Sequence, residues 1–142
     1  MQRGFSFIEL LTVITVVGVL VALLAPRAYR WVDRTVVRAS IADVSAFYNQ
    51  ARLGAMLRGS RVRIDFSPAL LSATYEGIED STFLTVNGPA TDGVELRVSR
   101  RTIRIQPNGL GWGGANTKLV LRRGEAAESL TISREGRLKH WR

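Results

Sequence analysis

A chain of 142 residues has room for one domain with an appended helix and is too short for two full domains. Hydrophobic residues make up 46% and charged residues 23%, which excludes both a disordered chain and one wholly embedded in lipid. There is no cysteine, so disulfide frameworks and thiolate chemistry are excluded, and a net charge of +8 points to acidic partners: nucleic acid, anionic headgroups or acidic subunits.

The first predicted element is an apolar run over residues 5–25 in which Glu9 is the only charge. At 1.5 Å rise per residue, about 20 such residues match a bilayer core. A buried helix of a soluble protein would show a polar stripe somewhere along that length, so a transmembrane helix is the better reading. Pro26 marks its boundary or a kink. An ordinary secretory signal would have a longer basic segment, a shorter apolar one and a small-x-small cleavage site. Here only Met1, Gln2 and Arg3 lead in, and Pro26 directly follows Ala25, the best candidate for such a cut.

Glu9 is the informative residue of the run. A carboxylate inside an apolar helix costs on the order of 2.5–3.5 kcal/mol on insertion scales and calls for a partner. A cut between Gly4 and Phe5 would create an α-amine, with a pKa of about 8, one helical turn before Glu9. The positive end of the helix favours the carboxylate as well. On spacing alone, a plain signal anchor with a stray Glu near the headgroups is the alternative.

Beyond Pro26 the pattern becomes amphipathic. Val32, Val36, Ser40, Val44, Phe47, Ala51 and Ala55 recur at helical spacing, while Arg27, Arg30, Arg34 and Arg38 stack on another face. That face suits anionic headgroups, a neighbouring subunit or plain solvation. The helix is expected to end near Arg58 with Gly59 as its stop. Short-period segments follow at 61–66, 70–76, 82–86, 94–99, 102–106, 118–122, 129–133 and 137–140. Turn pairs such as Asp92-Gly93, Asn108-Gly109 and Glu135-Gly136 separate them. The fold class is therefore α+β: a long N-terminal helix, membrane-spanning then amphipathic, packed on an antiparallel β-sheet or small β-sandwich.

Catalytic and metal-binding constellations are not evident. His140 is the sole histidine and lies near the end, the stretch 76–80 reads as a solvated acidic loop, and 109–114 reads as a loose connection between strands. No cofactor is implied. Charge is unevenly spread: residues 61–95 hold two Lys/Arg against six Asp/Glu, and residues 97–142 hold eleven against three. The ending interleaves Arg137, Lys139 and Arg142 with Trp141, a pattern able to neutralise phosphates and stack a base. A basic sheet edge that discourages aggregation accounts for the same residues.

Gly4-Phe5-Ser6-Phe7-Ile8-Glu9-Leu10 resembles the N-terminal signal of type IV pilins and type II secretion pseudopilins. That resemblance implies cleavage after Gly4 by a membrane prepilin peptidase, N-methylation of Phe5, and subunit docking through Glu9. It divides the chain into a leader (1–4), a transmembrane helix (5–25), its amphipathic continuation (26–59) and a β-rich globular domain (60–142). More weakly, residues 51–62, 105–109 and 132–137 are similar to the minor pseudopilins of the GspH and FimT family. The family implies a non-enzymatic filament subunit, in type II protein secretion or type IV pilus assembly, with other pilins or pseudopilins as partners. It also implies an inner-membrane anchor with the domain on the outer side. The arginines after the span would, by the positive-inside rule, favour the opposite orientation. Some FimT-like proteins bind DNA through a Gly-Arg-x-Arg ending, so the alternative is a DNA-binding minor pilin of a DNA-uptake pilus. In this chain Lys139 replaces the second Arg, which keeps the charge and loses the planar fork.

Overall fold

The computed structural model describes residues 7–77 and 80–141, apart from the side chain of Pro26. It divides into two compact units, Met1–Val32 and Asp33–Arg142. One helix, α1 (Phe7–Arg58, 52 residues), contributes to both. In the first unit its large aliphatic side chains are exposed on every side, from Leu10 through Leu24. The hydroxyls of Thr12 and Thr15 each donate to the carbonyl four residues back, at 2.8 Å, so neither presents an unsatisfied donor to an apolar surrounding.

Among the described residues the second unit holds nine strands: β1 (Val62–Phe66), β2 (Leu70–Tyr75), β3 (Ser81–Asn87), β4 (Glu95–Val98), β5 (Thr102–Ile105), β6 (Gly111–Trp112), β7 (Thr117–Arg123), β8 (Ala126–Ile132) and β9 (Leu138–Trp141). They form a five-stranded sheet in the order β3-β2-β1-β5-β6 and a four-stranded sheet in the order β4-β7-β8-β9. Every pairing is antiparallel. Alternation decides the faces: Val62, Ile64 and Phe66 of β1 point inward with Arg63 and Asp65 between them, and Leu119 and Leu121 of β7 point inward with Val120 turned to the other face.

One buried cluster joins both sheets to the second half of α1. Its helical stripe is Val37, Ile41, Val44, Phe47, Tyr48, Ala51 and Ala55, with Ser40 among them. The spacing of 3.6 residues requires such adjacent pairs as 40/41 and 47/48, which the expected row of single positions omitted. Val32, placed in that row from the sequence, is 43% exposed. Phe47 meets Phe66 edge to face, with ring centroids 6.4 Å apart, and Tyr48 is buried so deeply that desolvation pushes its phenol above the ordinary value.

The helix stops as expected. Gly59 takes a φ of 63°, and the Ser60 amide donates to the Ala55 carbonyl at 3.3 Å, satisfying a carbonyl that the last turn leaves open. Two features of the loops differ from the sequence reading. The stretch read as a loose connection contains β6, whose Gly111 amide donates to the Arg134 carbonyl at 2.7 Å. Residues Pro89–Asp92 form a 3-10 turn, led by Gly88, whose backbone lies against the 67–68 segment so closely that a Cβ would come within 2.2 Å of the Pro68 carbonyl oxygen. Both depend on contacts distant in sequence, which local propensity does not encode.

Candidate functional site: the N-terminal helix and the basic sheet face

Two surfaces carry the residues singled out from the sequence. Gly4 and Phe5, expected at the cleavage and methylation point, lie outside the described residues. Glu9 is described: it falls in the first turn of α1, where the helix dipole favours a carboxylate. Around and after it the helix shows apolar side chains to every direction, and none of its most apolar 18-residue window is buried in the protein. Such a surface has to be covered by lipid or by other apolar helices, because its exposure to water would cost about 25 cal/mol per Å². It is the single helix among the described residues that is long and apolar enough to cross a membrane.

The second surface is the outer face of the four-stranded sheet. Register places Lys118, Thr131 and Lys139 side by side across β7, β8 and β9, and the next row reads Arg97, Val120, Ser129 and Trp141. Lys139 holds its Nζ 3.9 Å from the centre of the Trp141 ring, a cation-π contact that fixes both side chains on one face of the edge strand. Trp141 is half exposed and, with Lys118, Val120, Ala127 and Ser129, lines a shallow groove of about 140 Å³. Among the described residues neither lysine has a carboxylate partner.

Arg137, grouped with them from the sequence, behaves differently. Its guanidinium is engaged by Glu135 across the β8–β9 turn, with Nε 2.9 Å from Oε2 and Nη2 closer still. Arg142 lies outside the described residues. The structure thus brings Lys139 and Trp141 together, adds Lys118 and Arg97, and ties Arg137 to an acid. Lys118 and Arg97 escaped sequence reasoning because only the strand register makes them neighbours. Arg97 itself is paired with Glu95 at 2.8 Å.

The five-stranded sheet presents the opposite situation. Arg63 lies 3.1 Å from Asp80, 3.5 Å from Asp65 and 3.9 Å from Glu76, and Arg104 lies 2.6 Å from Glu76. The hydrogen bond that Arg104 donates to Glu76 also holds the Arg104 pKa above its ordinary value. The acidic stretch read as merely solvated is therefore ion-paired where it is described; Ile78 and Glu79 lie outside. Trp112 is flanked by Arg61 and Arg104 at 5.2 and 5.8 Å from its ring centre. Of the arginine row on α1, Arg38 pairs with Glu128 at 3.1 Å.

Residues 1–25 match the prokaryotic N-terminal methylation motif. Fimbrial proteins of Pseudomonas aeruginosa are 32% identical over 88 residues, which is 61% of this chain and 55% of theirs. The chain thus aligns with about half the length of those relatives. Two crystal structures of the Pseudomonas aeruginosa type IV minor pilin FimU superpose with TM-scores of 0.64 and 0.61 at 14% and 13% identity. They cover 75% and 74% of this chain, and 88% and 92% of theirs. At that identity the likeness shows the fold: a long N-terminal helix packed on antiparallel sheets. Motif and fold point the same way: the chain carries the N-terminal methylation motif and has a type IV pilin-like fold. Those two solved structures, which it resembles in fold, are of a minor pilin.

Proposed function

We propose that this chain is a non-enzymatic minor subunit of a pilus-like filament rooted in the inner membrane, with its domain on the outer side. The observation that carries the reading is the helix surface between Leu10 and Leu24, apolar on every side, with one carboxylate in its first turn and the methylation motif over the same residues. Apolar packing against other pilin helices supplies the association energy, and Glu9 sets the register by pairing with an N-terminal amine. Prepilin peptidase creates that amine at Phe5 by cutting after Gly4. Between the two filaments the signal serves, the fimbrial names of the relatives and the minor-pilin structures favour the type IV pilus over the type II secretion pseudopilus.

Incorporation tests this reading. Glu9→Val removes both the desolvation cost and the pairing, so the variant should insert and be cut normally yet be depleted from sheared or crosslinked filaments. Wild-type abundance of the variant in filaments would remove Glu9 from the docking role.

A second reading, DNA binding during uptake, is favoured by the Lys118, Lys139 and Trp141 face. Each phosphate contact contributes roughly 0.9 to the slope of log affinity against log salt, so Lys118→Ala with Lys139→Ala should flatten the slope by nearly two for duplex DNA. Trp141→Ala should weaken single strands more than duplex, because only unstacked bases can lie on an indole. Fluorescence anisotropy over a salt series measures both, and absence of binding at low salt overturns this second reading.

A further inference from the structure

The stretch of α1 that follows the apolar run has a character of its own. Residues 10–32 contain no Asp or Glu, and their only charges are Arg27 and Arg30, both exposed. Two aromatic side chains stand among them, Tyr29 at 72% exposure and Trp31 at 69%. Arg30 and Trp31 each have an interaction within the chain that leaves them exposed. At roughly 100° per residue, Arg27, Arg30 and Trp31 share one side of the helix and Tyr29 lies nearly opposite. A helix that faces one protein partner gathers its large side chains in a single stripe, whereas aromatics on both sides suit a medium that surrounds it. Axial distances fit a bilayer. Arg27 follows Glu9 by 18 residues, which at 1.5 Å each is about 27 Å, close to the roughly 30 Å of a hydrocarbon core. Arg30 lies about 4.5 Å further on, within a headgroup layer some 5–7 Å deep. With the domain on the outer side, the positive-inside rule supplies no reason for arginines after the span, so they need a role of their own.

We propose, resting on the membrane-rooted reading above, that Arg27, Tyr29, Arg30 and Trp31 form a collar that binds anionic phospholipid headgroups around α1. Each guanidinium offers a planar fork of N–H donors that matches the oxygens of a phosphodiester. Side chains on a helix lean toward its N-terminus, here toward the apolar run, so the arginine stems lie along the acyl boundary while their heads meet the phosphates. Indole and phenol rings suit the same depth, with an apolar body toward the chains and an N–H or O–H toward the headgroups. Two positive charges with no acid among residues 10–32 favour an anionic over a zwitterionic lipid, by roughly fivefold for each arginine near the surface. The collar holds a subunit that waits in the membrane at a fixed depth: Arg27 meets one boundary of the hydrocarbon while Glu9 stands at the other.

The full chain is reconstituted into vesicles of phosphatidylcholine alone, and its flotation with them checks the span itself. A chain left behind by the neutral vesicles overturns the span reading and the collar with it. Lipid choice is then read by native mass spectrometry of the chain released from micelles that hold equal amounts of phosphatidylcholine and phosphatidylglycerol. Wild type should retain phosphatidylglycerol in several-fold excess. Arg27→Gln with Arg30→Gln should bring the ratio close to one and leave flotation unchanged, whereas Arg27→Lys with Arg30→Lys should keep most of the excess, because the charge is retained. The excess should also shrink as salt in the micelles is raised from about 0.01 M to 1 M, where the Debye length falls from about 30 Å to 3 Å. Equal retention of the two lipids by wild type, with normal flotation, would overturn the collar and leave the span reading standing. An excess that survives in the Gln double variant would overturn it as well, and loss of that variant from crosslinked filaments would then assign the arginines to a neighbouring subunit.

Discussion

Between Leu10 and Leu24, α1 exposes large aliphatic side chains around its whole circumference, whereas between Val37 and Ala55 it buries one apolar stripe and carries all of its charged side chains, Arg38, Asp43 and Arg52, outside that stripe. The apolar residue types overlap, since valine, leucine, isoleucine and alanine occur in both stretches. What differs is periodicity, and with it the solvent each stretch is built for. A uniform apolar surface has no preferred side and suits lipid or several neighbouring helices, while a stripe commits the helix to one partner, here the chain's own sheets.

Substitution at matched depths sharpens this contrast, and the largest effect belongs to the buried stripe. Phe47→Ala removes a fully buried ring packed on Phe66 and should destabilise the domain by about 3–5 kcal/mol, measured by denaturant unfolding of the full chain in detergent. Next comes Gly88→Ala, where the added methyl runs into the Pro68 carbonyl and should cost roughly 1–3 kcal/mol by the same measurement. Breaking the Arg38–Glu128 pair with Arg38→Ala should cost less than about 1 kcal/mol, because Arg38 is largely exposed to water. Smallest of all, Val16→Ala should leave domain stability within about 0.5 kcal/mol of wild type. A loss comparable to that of Phe47→Ala would break the comparison by showing that the first stretch also stabilises the domain.

The buried stripe predicts a pH effect as well. Burial raises the Tyr48 pKa in the folded state above its unfolded value, so the neutral phenol is favoured by folding. Its contribution is fully present below the unfolded value of about 10 and is lost as pH rises through the folded one. Ultraviolet titration should show one of the three tyrosines ionising late, together with the alkaline unfolding transition, and Tyr48→Phe should abolish that late step.

The sequence was most legible where the signal was local. The apolar run, the end of α1 at Arg58 before Gly59 and most of the strands follow from patterns within a few residues. The exact buried stripe was partly legible: Ser40, Val44, Phe47, Ala51 and Ala55 were in the expected row, but Val37, Ile41 and Tyr48 were missed because the row took single positions and left out the neighbours that a 3.6-residue turn brings to the same face. Strand β6 is two residues long and exists through its pairing with β5, so no window of sequence could mark it. The candidate surfaces divide in the same way. Glu9 stands out in any reading, because a charge in an apolar run needs an explanation. The grouping of Lys118 with Lys139 and Trp141 arises from strand register across 21 to 23 residues of chain, and the capture of Arg137 by Glu135 from a turn that the composition alone did not distinguish.

The central claim is that the apolar stretch is a pilin-type assembly helix whose mature end begins at Phe5, four residues before Glu9. Intact-mass analysis of the membrane-extracted protein, from cells with an active prepilin peptidase, tests it most directly. The account predicts a chain that lacks residues 1–4 and carries one methyl group on the amine of Phe5. A chain that keeps Met1 to Gly4 in those cells would contradict it.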